Sequence, residues 1–115
     1  MTGPLQPRDH GISVDDAAKL TARHREATTA LGARRAADGE LGGAFTKKAV
    51  MALLEQPNAA YLRYYHARDD KGEPHVVLVA ADKEGNDITD AGAAILDTHF
   101  PCPPMCPVLA SPLRG

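Results

Sequence analysis

The sequence predicts an α+β fold: two helices followed by a three-stranded antiparallel β-meander, with a proline-rich C-terminal tail. Three observations predict it. Apolar residues recur at three- and four-residue steps before Pro57, the period changes to two beyond Asn58, and Cys102 and Cys106 stand in a proline frame near the C-terminal end. A length of 115 residues allows one core, since domains commonly run to about 100 to 150 residues. The expected organisation is a flexible arm over 1–12, a single domain over 13–100 and a Cys/Pro-rich tail over 101–115. A domain of this size buries about two thirds of its unfolded surface, so a deep substrate cleft would compete with the core for apolar residues.

Gly3, Pro4, Pro7 and Gly11 dominate an N-terminal stretch poor in apolar side chains, a composition that does not repay the entropy of ordering. Ser13 then reads as an N-cap, with Asp15 and Asp16 where a helix start favours carboxylates. From Val14 onward, Ala17, Leu20, His24, Ala27 and Leu31 fall on one helical face, while Lys19, Arg23, Arg25 and Glu26 point elsewhere. That face is shallow and alanine-rich, suited to close packing against a helix or sheet, with His24 a packed side chain. Gly32 begins its decay into a flexible stretch over Ala37 to Gly43. A second helix is predicted from Ala44 to Gln56, stopped by Pro57. Phe45, Ala49, Val50, Leu53 and Leu54 form its buried side, with Met51 as gap-filler.

Leu62, Tyr64 and His66 alternate with Tyr61, Arg63 and Tyr65, the pattern of a half-exposed strand. The turn from Asp69 to Pro74 leads into Val76-Val77-Leu78-Val79-Ala80-Ala81, an unbroken apolar run expected of a central strand covered on both faces. Asp82 to Asp87 supplies a further turn through Gly85 and Asn86. A third strand is expected over Ala93 to Phe100, where Ala94, Leu96, Thr98 and Phe100 alternate with Ile95, Asp97 and His99, and Pro101 ends it. The helices should cover one face of this sheet.

Charge narrows the partners. The net charge is −2, and Arg23, Arg25, Arg34 and Arg35 are interleaved with Asp15, Asp16, Glu26 and Asp38, which reads as a solvated helix face rather than a grip on phosphates. No nucleic acid is expected, and no membrane, because no apolar run approaches the roughly 18 residues of a span. The N-terminus has no basic region followed by an apolar segment, so a cytoplasmic location is expected. Reducing conditions there favour free or metal-bound thiols over a structural disulfide.

Cys102 and Cys106 carry the densest chemistry. If Pro103 and Pro104 hold a polyproline II course, the cysteine Cα atoms stand as much as ~12 Å apart. A disulfide needs them within roughly 4.4 to 6.8 Å, so the chain would have to turn near Pro104-Met105 or adopt a cis X-Pro bond. The spacing is not that of a dithiol oxidoreductase. For metal, His99, Cys102 and Cys106 offer a nitrogen and two sulfurs suited to zinc or copper, one ligand short of a structural zinc site. His66, His75, Asp97 or a second subunit of a homo-oligomer would supply the fourth.

Two other readings of the tail stand beside the metal or redox one. In the first, Cys102, Met105 and Cys106 are apolar plugs on a rigid strip. In the second, the tail is a peptide whose cysteines a partner enzyme modifies. Elsewhere, Asp82, Glu84, Asp87 and Asp90 read as a solvated turn rather than a calcium loop. Tyr61, Tyr64, Tyr65, Arg63 and His66 fit either cross-strand packing or a small stacking site. There is no phosphate-cradling glycine motif and no Gly-x-Ser-x-Gly elbow.

The order Gly42-Gly43-Ala44-Phe45-Thr46-Lys47, Leu53-Leu54-Glu55-Gln56, Leu62-Arg63-Tyr64-Tyr65, Val77 to Asp82, Gly85-Asn86-Asp87 and Pro101 to Cys106 resembles a group of small uncharacterised bacterial proteins. That group has a helix–hairpin body and a C-terminal Cys-Pro-Pro-x-Cys tail, with no known activity. The likeness spans about 42–107. His66 and Ala80 depart from it, each standing where the group has glycine. What the resemblance implies is a helix–hairpin order and a tail that belongs to the body. Together these readings predict a small non-enzymatic binding or interaction protein with a protein partner, whose dicysteine feature binds a metal ion or senses redox state. A plain protein–protein adaptor with incidental thiols is the alternative.

Overall fold

The computed structural model describes residues 5–30 and 39–114. Its elements run α1 (Val14–Ala30), β1 (Gly42–Ala44), α2 (Lys47–Leu54), β2 (Tyr61–Arg68), β3 (Pro74–Ala81), β4 (Ile95–Leu96) and β5 (Phe100–Cys102). The strands make two antiparallel sheets, β1–β5 and β2–β3–β4. This corrects the expected two helices followed by one meander. A strand lies between the helices, and the segment expected to be one third strand contributes to both sheets. Its break has a local cause: Thr98 takes a φ of 63°, which no extended strand accommodates. Chain contacts divide into two compact units, one built around Phe45–His99 and the other around Asp9–Ala44 with Phe100–Gly115.

In the first unit, Thr46 sets where α2 begins. Its backbone is extended and its hydroxyl accepts the Ala49 N–H at 3.2 Å, so the helix starts later than its apolar pattern suggests. At the other end the Glu55 N–H donates to Met51 O, and Gln56 fastens the exit twice, donating to Leu53 O and accepting the Ala94 N–H. Leu53 is completely buried against Leu78 and Ala80, ringed by Phe45, Val50, Val76 and Leu96. Burying one leucine contributes about 1.5 to 3 kcal/mol. Leu54, expected on the same side, is exposed.

β2 and β3 pair from Tyr61 opposite Ala81 to Arg68 opposite Pro74. Leu62, Tyr64 and His66 therefore share a sheet face with Ala80, Leu78 and Val76, while Tyr61, Arg63 and Tyr65 share the other with Ala81, Val79 and Val77. β3 is central, and its neighbours Leu78 and Val79, pointing to opposite faces, are both buried.

Two turns of one design bracket β3. Asp69 Oδ1 accepts the N–H groups of Lys71 and Glu73, the Asp69 N–H donates to Glu73 O, and the Gly72 N–H donates to Asp69 O. Asp82 repeats each bond with Glu84, Asn86 and Gly85. The glycines hold φ of 80° and 88°, the left-handed position such turns require.

In the second unit, Ser13 caps α1, its Oγ accepting the Asp16 N–H at 3.0 Å. No residue of α1 is fully buried. The half-buried stripe is Ala17, Ala18, Thr21, Ala22, Arg25 and Thr28 rather than the expected Ala17, Leu20, His24 and Ala27; Leu20 is exposed. The contrast between alanine, threonine and a single leucine is too weak to fix the face from spacing. Leu31, Gly32, Arg34, Arg35 and the start of the expected flexible stretch lie outside the described residues.

At Gly85 a Cβ would meet Leu5 Cγ at 3.3 Å and require an unfavourable φ, whereas at Gly42 it would meet nothing within 4 Å. Gly85→Ala is expected to destabilise the chain by about 1 kcal/mol or more. Gly42→Ala should stay within about 0.5 kcal/mol of the parent, both read by urea denaturation.

Candidate functional site

Phe100-Pro101-Cys102 becomes a strand because it has a partner: Gly42 lies opposite Cys102, Gly43 opposite Pro101 and Ala44 opposite Phe100. Pro101 was expected to end a strand and instead sits inside one. A two-stranded ribbon leaves edges on both sides, where a residue without an N–H is tolerated. The Leu41 N–H extends the pairing, donating to Cys102 O at 2.7 Å.

Beyond β5 the chain reverses at once. The Cys102–Pro103 and Pro103–Pro104 peptide bonds are cis, and the Met105 N–H donates to Pro101 O at 2.7 Å. Cys102 and Cys106, with Cα atoms 4.6 Å apart, are joined in a disulfide. The preference for free thiols over a disulfide is corrected here, and of the two courses the spacing left open the chain takes the turn rather than the extended helix. Cys102 is buried and Cys106 half-buried, while Met105 is 57% exposed and so does not plug anything.

A groove of about 530 Å³ runs along this loop, lined by Leu41, Cys102, Met105, Cys106, Val108 and Leu113, with Thr21, Ser111 and Arg114 also in its lining. Arg25 of α1 donates to Leu113 O at 2.9 Å and His24 Nε2 lies 3.3 Å from Glu40 O, so the helix is tied both to the tail and to the approach to β1.

The other predicted ligands have different company. His99 is buried in the unit around Phe45–His99, its ring centroid 6.4 Å from that of Phe45. His66 stands edge-on to Tyr64, with centroids 5.4 Å apart. His75 lies between Asp97 and Asp69. Among the described residues no group of three or more His, Cys, Asp or Glu side chains is placed to hold a metal ion. No described helix is long and apolar enough to cross a membrane.

Two polar clusters escaped the reading of the sequence. Asp87 accepts from both Arg63 and the Tyr65 hydroxyl, and Arg63 donates also to Gly85 O, tying β2 to the turn after β3. The Tyr65 hydroxyl, and after it the Arg63 guanidinium, hold the Asp87 carboxyl below its ordinary pKa. The available signal was that Arg63 and Tyr65 are two apart, hence on one face. The second cluster is that of His75. No family model, curated protein or solved structure matches this chain.

Closing a loop with a sequence separation of four is worth roughly 2 kcal/mol on the chain-entropy account. Replacing both cysteines by serine is expected to lower the urea midpoint accordingly. Near-ultraviolet signals of Tyr61, Tyr64 and Tyr65, all in the other unit, should be retained at low urea; their loss would give the bond a wider role.

Proposed function

We propose that this chain is a small non-enzymatic binding module whose Cys102–Cys106 pair senses redox state by fastening or freeing its C-terminal tail. One observation carries the reading: the disulfide forms part of the wall of an apolar groove, and immediately beyond it Val108 and Leu109 stand 99% and 82% exposed. Apolar side chains in solvent beside a concave apolar surface are features of docking sites, and a protein partner offering an apolar anchor side chain suits them. Reduction would separate the sulfurs and change the groove wall, so binding and redox state are coupled.

A cytoplasmic location supports the same reading, because disulfides of reducing compartments are usually transient and redox-sensing. Zinc or copper binding belongs to the reduced chain alone, since thiolates and not a disulfide are the ligands, with Cys102 and Cys106 as the sulfur donors. The resemblance to small uncharacterised bacterial proteins with a Cys-Pro-Pro-x-Cys ending agrees with a tail that functions together with the body.

Affinity capture from the source organism, with the chain oxidised, reduced or carrying Leu109→Asp, tests this. The expected result is a partner retained in one redox state and lost with Leu109→Asp. The same partner recovered equally in both states would make the thiols incidental and leave a plain adaptor.

A further inference from the structure

His75, the second residue of β3, is bonded through both ring nitrogens: Nδ1 lies 2.8 Å from Asp97 Oδ1, and Nε2 lies 3.3 Å from Asp69 Oδ2. An ionised carboxylate only accepts hydrogen bonds, so both contacts are satisfied together only when both nitrogens carry a proton. The two acids come from different segments. Asp69 opens the turn between β2 and β3, where it already accepts from Lys71 and Glu73. Asp97 directly follows β4 and also accepts the N–H of Thr98. Thr98 is a β-branched residue at φ 63°, a conformation that persists only where its surroundings impose it.

We propose that Asp69, His75 and Asp97 form a proton-operated clasp. With both ring nitrogens protonated, His75 ties the β2–β3 turn and the corner at Thr98 to the start of β3. A neutral imidazole has one N–H to share between two carboxylates, so loss of a proton releases one of the two segments. The charged groups facing His75 are Asp69 from the turn and Asp97 from the segment after β4. Ala67, opposite on β2, brings no charge, and His99 acts on Asp97 from farther along the same segment.

The sign of the pH dependence follows. Asp97 raises the pKa of His75 above its ordinary 6.5, opposed next by burial and supported further by Asp69. Its contribution is complete below that ordinary value and is lost as pH rises through the folded one. Both carboxyls are lowered from 3.8, Asp97 chiefly by His75 and Asp69 chiefly by the Glu73 N–H, so their contribution is lost only as acid protonates them. The clasp is therefore closed in mildly acid solution and opens as pH rises through the raised pKa of His75.

The test is a pH titration of the full chain by NMR, following the histidine ring nitrogens and the Thr98 amide. His75 should titrate above a histidine in an unstructured peptide, and Asp97→Asn and Asp69→Asn should each bring its midpoint down. The Thr98 protection factor should fall roughly two- to fivefold across that midpoint while that of Val79 does not change. His75→Gln should hold Thr98 at the lower protection at every pH. A His75 that titrates at or below the peptide value, a midpoint indifferent to both asparagine variants, or a Thr98 protection factor that does not follow His75 would each overturn the clasp.

Discussion

Few of the described residues are removed from water, and the contact between Leu53 and the β3 residues Leu78 and Ala80 is where their apolar packing concentrates. Leu53 is the large side chain that reaches complete burial among the described residues. α2 is therefore placed by one leucine, helped by Phe45 and Val50, and β3 is placed by being covered on both faces. A core this shallow leaves the remaining segments to be held by directional bonds. That explains why so many side chains here act as ties: Gln56 to Ala94, Arg63 and Tyr65 to Asp87, His75 to Asp69 and Asp97, and Arg25 to Leu113.

The unit around α1 carries the same logic further. Its helix has no fully buried residue, and its ribbon consists of two three-residue strands. Such a ribbon is marginal alone. The disulfide that closes directly after β5 restricts the unfolded chain at the point where the pairing ends, which joins the covalent chemistry of the tail to the presence of β1. Among the described residues of this unit Cys102 alone is buried, and the proposed coupling of redox state to tail position rests on that.

What could be read from the sequence was what is decided locally. Ser13 as a cap, the aspartate-glycine turns at 69–72 and 82–85, and the alternating faces of β2 depend on neighbours a few residues away, and the structure has them. β1 could not be read, since Gly42-Gly43-Ala44 has no periodicity and becomes a strand only through Phe100 to Cys102. The Thr98 corner was equally hidden, because threonine after an alternating pattern argues for a strand; the Asp97 beside it has its imidazole partner 22 residues earlier. At Cys102 and Cys106 the sequence posed the alternative of extended prolines or a turn that makes the sulfurs neighbours, and the turn is what the structure has; only the expectation of a reducing compartment pointed away from a bond between them.

In the proposed function the disulfide holds β5 and the tail against β1. Hydrogen exchange of the oxidised and reduced chains at the Leu41 amide, which donates to Cys102 O, measures this most directly. Protection at Leu41 that falls on reduction, with β3 amides unaffected, is the predicted result. Equal protection of Leu41 in both states would mean the ribbon stands without the bond, and the tail would not be under redox control.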